Sequence, residues 1–260
     1  MGPQEMNRDE YKFLFDLEGH HWWFVGMRKI VAALLDTAVG PGSRRILDAG
    51  CGTGFTMSWL RRLGDDTKVY GLDLSPDALG YCRHRGEKLL VRGSVRDLPF
   101  PAQTFDLILT LEVLDWFSPE QAAQPFAELV RVLKDGGWLL VRLPAFQFLH
   151  SAHDEAILTA HRYTAGELTQ CLVRQGLLPV RVTYANTFLF PIAAVWRWLR
   201  RSPQKQAHSD VRPLPKSIRW LNPILAWILG VEAACLRHLP WPLPVGLSVI
   251  ALARKPASGS

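Results

Sequence analysis

The chain has 260 residues, 48% of them hydrophobic, enough to bury one full core with an elaboration. Its formal charge is +6, and its four cysteines (Cys51, Cys82, Cys171, Cys235) form no Cys-x-x-Cys pair, so neither a zinc site nor a disulfide framework is indicated. Met1 to Glu10 is polar and Tyr11 to Leu17 carries charges, so no signal peptide is read and the reduced cytoplasm is the expected compartment.

In chain order, residues 9–17 read as a helix, and His20-His21-Trp22-Trp23-Phe24 follows as an aromatic patch before a second helix over 27–37. Gly40-Pro41-Gly42-Ser43 breaks the chain. Strands are then expected at 45–49, 69–73, 89–92, 105–110 and 137–143, with helices at 55–63, 76–84 and 119–133. Asp135-Gly136-Gly137 reads as a turn into the fifth strand. Thr164 starts another helix, with Glu167 as its capping-box partner, ending near Gly176. Residues 179–184 and 248–254 supply strands six and seven. This alternation predicts an α/β, doubly wound, mostly parallel seven-stranded sheet.

Three parts are expected: an N-terminal helical lid (1–40), a main domain (41–187 and 247–256), and a helical insert (188–246) between strands six and seven. The insert holds eight Lys and Arg against Asp210 and Glu232, so the whole net charge lies in it and the rest of the chain balances. Its apolar segments, 188–199 and 221–236, fall short of the roughly 20 residues of a membrane span. Both contain tryptophans and end in arginines, which suits a cap on the domain or helices lying in a membrane interface. On this view the insert is separable, and deleting it would spare the main domain.

The centre of the chain is Ile46-Leu-Asp48-Ala49-Gly50-Cys-Gly52-Thr-Gly54-Phe55, a strand, a glycine turn and a helix start. That geometry lets the polar end of a ligand approach backbone N–H groups. Asp73 ends the next strand, placed to accept both hydroxyls of a ribose. Asp48 would repel a pyrophosphate but suits a ligand with a positively charged amine. The combination with Gly71-Leu-Asp73-Leu74-Ser75 resembles the class I S-adenosylmethionine-dependent methyltransferases, of the methyltransferase type 11-like kind, over roughly residues 20–185 and the last strand.

The resemblance implies a Rossmann-like methyltransferase fold, S-adenosylmethionine as cofactor and S-adenosylhomocysteine as product. It implies that Asp48 and Ala49 hold the amino-acid end, that Gly50 and Gly52 let methionine and ribose sit on the backbone, and that Asp73 takes the ribose hydroxyls. Leu74 would pack on adenine. Gly93-Ser94-Val95-Arg96-Asp97-Leu98-Pro99-Phe100 resembles the family's adenine motif, with Ser94 in place of its Asp and the Val95 N–H kept. Thr110-Leu-Glu112-Val113-Leu-Asp-Trp116 matches the end of strand four, with Glu112 near the methionine amine and Val113 beneath the adenosine. The aromatic patch, with Trp23, reads as a lid over the cleft or as a helix stapled to the sheet. Arg28 is a candidate for the cofactor carboxylate or a surface arginine.

Methyl transfer from a sulfonium is driven mainly by positioning and desolvation, and a base is needed only for a protonated nucleophile. His153, Asp154, His161 and Tyr163, after strand five, are the catalytic candidates. His153 is either a general base or a loop histidine bonded to Asp154. The His spacing does not put two on one helix face, so no metal is expected. The acceptor is expected to be a hydrophobic or lipid-linked small molecule, anionic in one version, with a peripheral contact to an anionic membrane on its inner face. A non-catalytic binding subunit is the rival. A nucleic-acid partner is not expected, because Asn-Pro-Pro-Tyr or Asp-Pro-Pro-Tyr is missing after strand four.

Overall fold

The computed structural model describes residues 8–40, 42, 44–64, 66–150, 154, 159–199 and 215–257. Seven strands, β1 (Arg45–Ala49), β2 (Lys68–Asp73), β3 (Leu90–Arg92), β4 (Phe105–Leu111), β5 (Leu133–Pro144), β6 (Leu178–Ala185) and β7 (Ser248–Arg254), form one sheet in the order β3-β2-β1-β4-β5-β7-β6. β1 to β5 pair in parallel, and β7 runs antiparallel between β5 and β6. β6 is therefore parallel to β5, and the C-terminal ends of β1, β2, β4, β5 and β6 share one end of the sheet. The expected doubly wound α/β architecture is present.

The central strands are mostly apolar because helices cover both faces. On one side α5 (Ala123–Val132) and α6 (Ala165–Arg174) bury Phe126, Leu129, Leu168 and Leu172 against Leu47, Ile108 and Val141. On the other, α2 (Trp22–Asp36), α3 (Phe55–Leu60) and α4 (Pro76–His84) pack on Ile46, Leu107, Leu109 and Leu140. α1 (Arg8–Leu17) lies outside α4, where Phe15 meets Tyr81 with ring centroids 4.9 Å apart.

Local chemistry sets the ends. The Thr164–Glu167 capping box forms as expected. Ser75 caps α4, with Pro76 in its first turn. Three elements start four or five residues away from the sequence expectation. α2 starts at Trp22, not Met27, because the His21 ring caps it, accepting from the Trp23 N–H at 3.4 Å. The aromatic patch thus enters the first turn of the helix. α5 starts at Ala123, since Ser118 ties up Gln121 in a preceding turn. β5 starts at Leu133, and Asp135-Gly136-Gly137 is a bulge within it, with Gly136 at φ +75°.

The insert contributes α7 (Phe190–Leu199) and α8 (Leu221–His238). α8 packs along α2 on the sheet, burying Leu229, Ala233 and Leu236. The two helices cross so closely at Gly26 that a Cβ there would overlap Leu229. Among the described residues no helix is long and apolar enough to cross a membrane.

Candidate active site

The turn after β1 is built by backbone geometry. Gly50 has φ +86°, and a Cβ on it would collide with the Val113 side chain, so only glycine lets the turn close over the end of β4. The turn leans on β2: the Gly50 and Cys51 N–H groups donate to Leu72 O at 2.7 and 3.0 Å. Asp73 braces it further. One carboxylate oxygen accepts from Gly52 N–H and the other from Ser75 N–H, both at 2.9 Å. Leu74, next to it, is half-buried, and its carbonyl accepts from Arg92 at 3.0 Å.

Asp48 points into this turn from β1. It is 2% exposed and one carboxylate oxygen has no hydrogen-bond partner. Burial, with Asp73 and Glu18 beside it, pushes its carboxyl well above the usual range, against the opposing pull of Arg142. A buried acid in acidic company holds its proton unless a cation is brought against it.

β4 ends in strain at the same place. Glu112 takes φ +59°, a left-handed conformation that glutamate rarely adopts, fixed by its N–H donating to Arg142 O at 2.8 Å. Its carboxylate pairs with Arg142 at 3.3 Å, and the Arg142 guanidinium lies 5.1 Å from the Trp23 ring centre. Trp23, Arg142 and Glu112 thus link α2 to the ends of β5 and β4. Asp115 follows, 2% exposed, with burial and then Glu112 pushing its carboxyl up to about 7. One of its oxygens accepts from Thr159 at 3.0 Å and the other is unpartnered.

The N-terminal helices are tied to the turn. Thr53 donates to the Glu18 carboxylate, and Arg85 pairs with Glu18 at 3.1 Å while donating to Thr53 O and Phe15 O at 2.9 Å. Arg28 donates to Glu18 O at 2.6 Å and stacks 4.2 Å over the Phe55 ring. Burial lowers its pKa to about 10, with Glu18 opposing. It stands beside the glycine turn, already engaged by Glu18. At the adenine motif, Val95 is buried and Ser94 Oγ accepts from Arg96 N–H at 3.2 Å.

The loop candidates separate. His153 lies outside the described residues. Asp154 is buried against Arg162, with N–O distances of 2.7 and 2.8 Å. His161 approaches Glu167 at 3.4 Å, at the start of α6. Tyr163 is fully buried, its hydroxyl donating to Phe117 O at 3.1 Å, and burial raises its phenol. The last three are therefore engaged in contacts within the protein. Among the described residues no cluster suited to a metal occurs. Cys51 and Cys82 are free and buried, their sulfurs 3.8 Å apart, and Cys82 together with burial raises the Cys51 thiol well above its usual range.

Three contributors escaped the sequence reading: Glu18, Asp115 and Arg142. Arg142 had a visible signal, a lone charge in the apolar run Leu139 to Leu143, and Glu18 stood just ahead of the aromatic patch.

Residues 47–141 match the family described as a methyltransferase domain. Over 184 residues the chain is 31% identical to the malonyl-[acyl-carrier protein] O-methyltransferase of Herminiimonas arsenicoxydans, covering 68% of this chain and 62% of that protein. Over 100 residues it is 35% identical to the fatty-acid O-methyltransferase of Mycolicibacterium smegmatis, covering 37% of this chain and 36% of that protein. It thus spans less than two thirds of the length of either relative. The S-adenosylmethionine dependent methyltransferase of Mesorhizobium loti shares the fold, with a TM-score of 0.56 and 19% identity over 88% of this chain and 97% of that one. Residues 47–141 match a methyltransferase domain, and the sheet around them has the Rossmann-like fold seen in a solved S-adenosylmethionine dependent methyltransferase.

Proposed function

We propose that this protein transfers the methyl group of S-adenosylmethionine to a hydrophobic or lipid-linked small molecule by in-line displacement, at the cytoplasmic side and peripherally on the inner face of a membrane. The observation that carries the cofactor half is Asp48, a buried carboxyl with an unpartnered oxygen beside a glycine turn. The residues present fit the group: Asp48 with Ala49 would take the ammonium end, Gly50 and Gly52 the methionine and ribose, and Asp73 the ribose hydroxyls. Leu74, Ser94, Val95 and Val113 would hold the adenosine, with Glu112, Trp23 and Arg28 at the rim. The relatives named for a malonyl-carrier and for fatty acids support an acyl-like, hydrophobic acceptor.

The cofactor supplies an already activated methyl, so the protein's task is to orient the acceptor and exclude water. If the acceptor loses a proton, His153 is the candidate base from the sequence. Asp115 is a second candidate, a buried carboxyl near the end of β4 with one oxygen unpartnered and pushed up to about 7. His153→Ala should lower turnover with little change in cofactor affinity if His153 is the base. A normal rate at saturating acceptor would shift that role to Asp115, which an Asp115→Asn pH–rate profile then checks.

Titration with S-adenosylmethionine in a calorimeter tests the first half. Absence of binding by the folded protein overturns the proposal, and binding with no turnover on any acyl or lipid-linked acceptor favours a non-catalytic subunit. The Asp48 role has its own sign. Burial and its acidic neighbours raise its carboxyl, so an ammonium brought against it pulls the value down, and at a pH where the carboxyl is protonated binding releases a proton. Binding enthalpies in two buffers of different ionisation heat should differ, and Asp48→Asn should remove the difference. Equal enthalpies for the unmodified protein would take the ammonium away from Asp48.

A further inference from the structure

Of the fifteen large apolar side chains exposed among the described residues, ten lie between Phe188 and Val245. Trp220, Ile224, Trp227 and Val231 fall at steps of four, three and four along α8 and are 64%, 43%, 66% and 37% exposed. Such spacing puts them on one helix face, a stripe about 16 Å long. The opposite face is spoken for: Leu229, Glu232, Ala233 and Leu236 are buried on α2 and the sheet. α8 is therefore apolar on both sides, and only one of them faces the core.

Charge says what the outer side fits. Among the described residues of the insert Glu232 is the one carboxylate, and it is wholly buried. The exposed part of that region carries no acid, Arg219 is exposed just ahead of α8 while Arg237 near its end pairs with Asp36 of α2, and the insert as a whole holds +6. Tryptophan and isoleucine flanked by arginine suit the boundary between headgroups and acyl chains of an anionic bilayer. A second copy of this chain would bring two surfaces of the same sign together, which disfavours a symmetric dimer through this face.

We propose that the outer face of α8, centred on Trp220, Ile224, Trp227 and Val231, docks the protein on an anionic bilayer. The contact would sit next to the start of α2, because the Asn222 side chain donates to His20 O at 2.8 Å and accepts from Trp22 N–H at 2.9 Å. A docked α8 thereby holds the start of α2, and with it Trp23, at the membrane surface, where a lipid-like acceptor would enter. The proposal deepens the lipid-acceptor reading and takes its purpose from it, but docking is measured without turnover.

The test is flotation of the full chain with phosphatidylcholine vesicles, with and without phosphatidylglycerol. The protein should float with the anionic vesicles and less so as salt rises. The double variant Ile224→Ser, Trp227→Ser alters only exposed positions, and its partitioning should fall at least about tenfold. Its S-adenosylmethionine affinity should match that of the unmodified protein, which separates loss of docking from loss of the fold. Equal binding to neutral vesicles, or unchanged binding by the double variant, overturns the proposal. So does self-association abolished by the same variant without any vesicle binding, which would assign the face to a second copy. Docking by a protein that binds no S-adenosylmethionine would sink the function reading and leave this one standing.

Discussion

Replacing Asp73 by alanine is expected to weaken S-adenosylmethionine binding by about 2 kcal/mol or more, roughly thirtyfold, as for the loss of charge-assisted hydrogen bonds. The carboxylate sits at the end of β2, where the ribose hydroxyls are expected, but it already accepts the N–H groups of Gly52 and Ser75. Its removal therefore acts twice, on the ligand and on the turn that cradles it. Asp73→Asn separates the two, since the amide keeps one acceptor oxygen for the backbone and loses the charge. Alanine should cost more than asparagine, and both proteins should show native circular dichroism. Unchanged affinity in folded Asp73→Ala, measured by calorimetry, would sink the assignment of the cofactor site.

Deleting the insert from about Arg197 to Arg237 is expected to unfold the domain. The sequence alone suggested a separable cap whose removal spares cofactor binding, and the packing of α8 reverses that expectation. The deletion strips Leu229, Ala233 and Leu236 from α2, and burying one large apolar side chain is worth about 1.5–3 kcal/mol. It also removes Glu232, whose carboxylate accepts the N–H groups of Asn186, Thr187 and Phe188 at 2.6, 2.8 and 3.2 Å where the chain leaves β6. Against a stability of about 5–15 kcal/mol, these losses approach the total. Glu232→Leu probes the latch alone. It leaves three donors without their acceptor, at about 1–3 kcal/mol for each one that stays buried, and should lower the urea midpoint clearly. A deletion protein that still unfolds cooperatively and binds S-adenosylmethionine would restore the detachable cap.

The sheet was legible in the sequence because its central strands are covered on both faces and so are mostly apolar, and each break had its own chemistry. The glycine turn was legible for the same local reason: Asp48, Gly50, Gly52, Gly54 and Asp73 lie within a strand, a turn and the next strand, so spacing in the chain reports spacing in space. The Thr164–Glu167 cap is a contact three residues long and formed as expected.

What lay beyond reach were pairings between distant parts of the chain. Arg142 meets Glu112 from the neighbouring strand, Glu18 meets Thr53 and Arg85 from an N-terminal helix, and Glu232 reaches β6 from the insert. No periodicity predicts these, because each is set by how the helices settle on the sheet. The same holds for the insert. Composition marked it as basic and rich in tryptophan, and suited both a buried cap and an interfacial helix. Only the tertiary structure divided α8 into two faces, because Gly26 lets α2 approach Leu229 and thereby decides which side of the helix is buried. Trp227 and Leu229 are two residues apart in sequence, and that crossing leaves one exposed and the other buried.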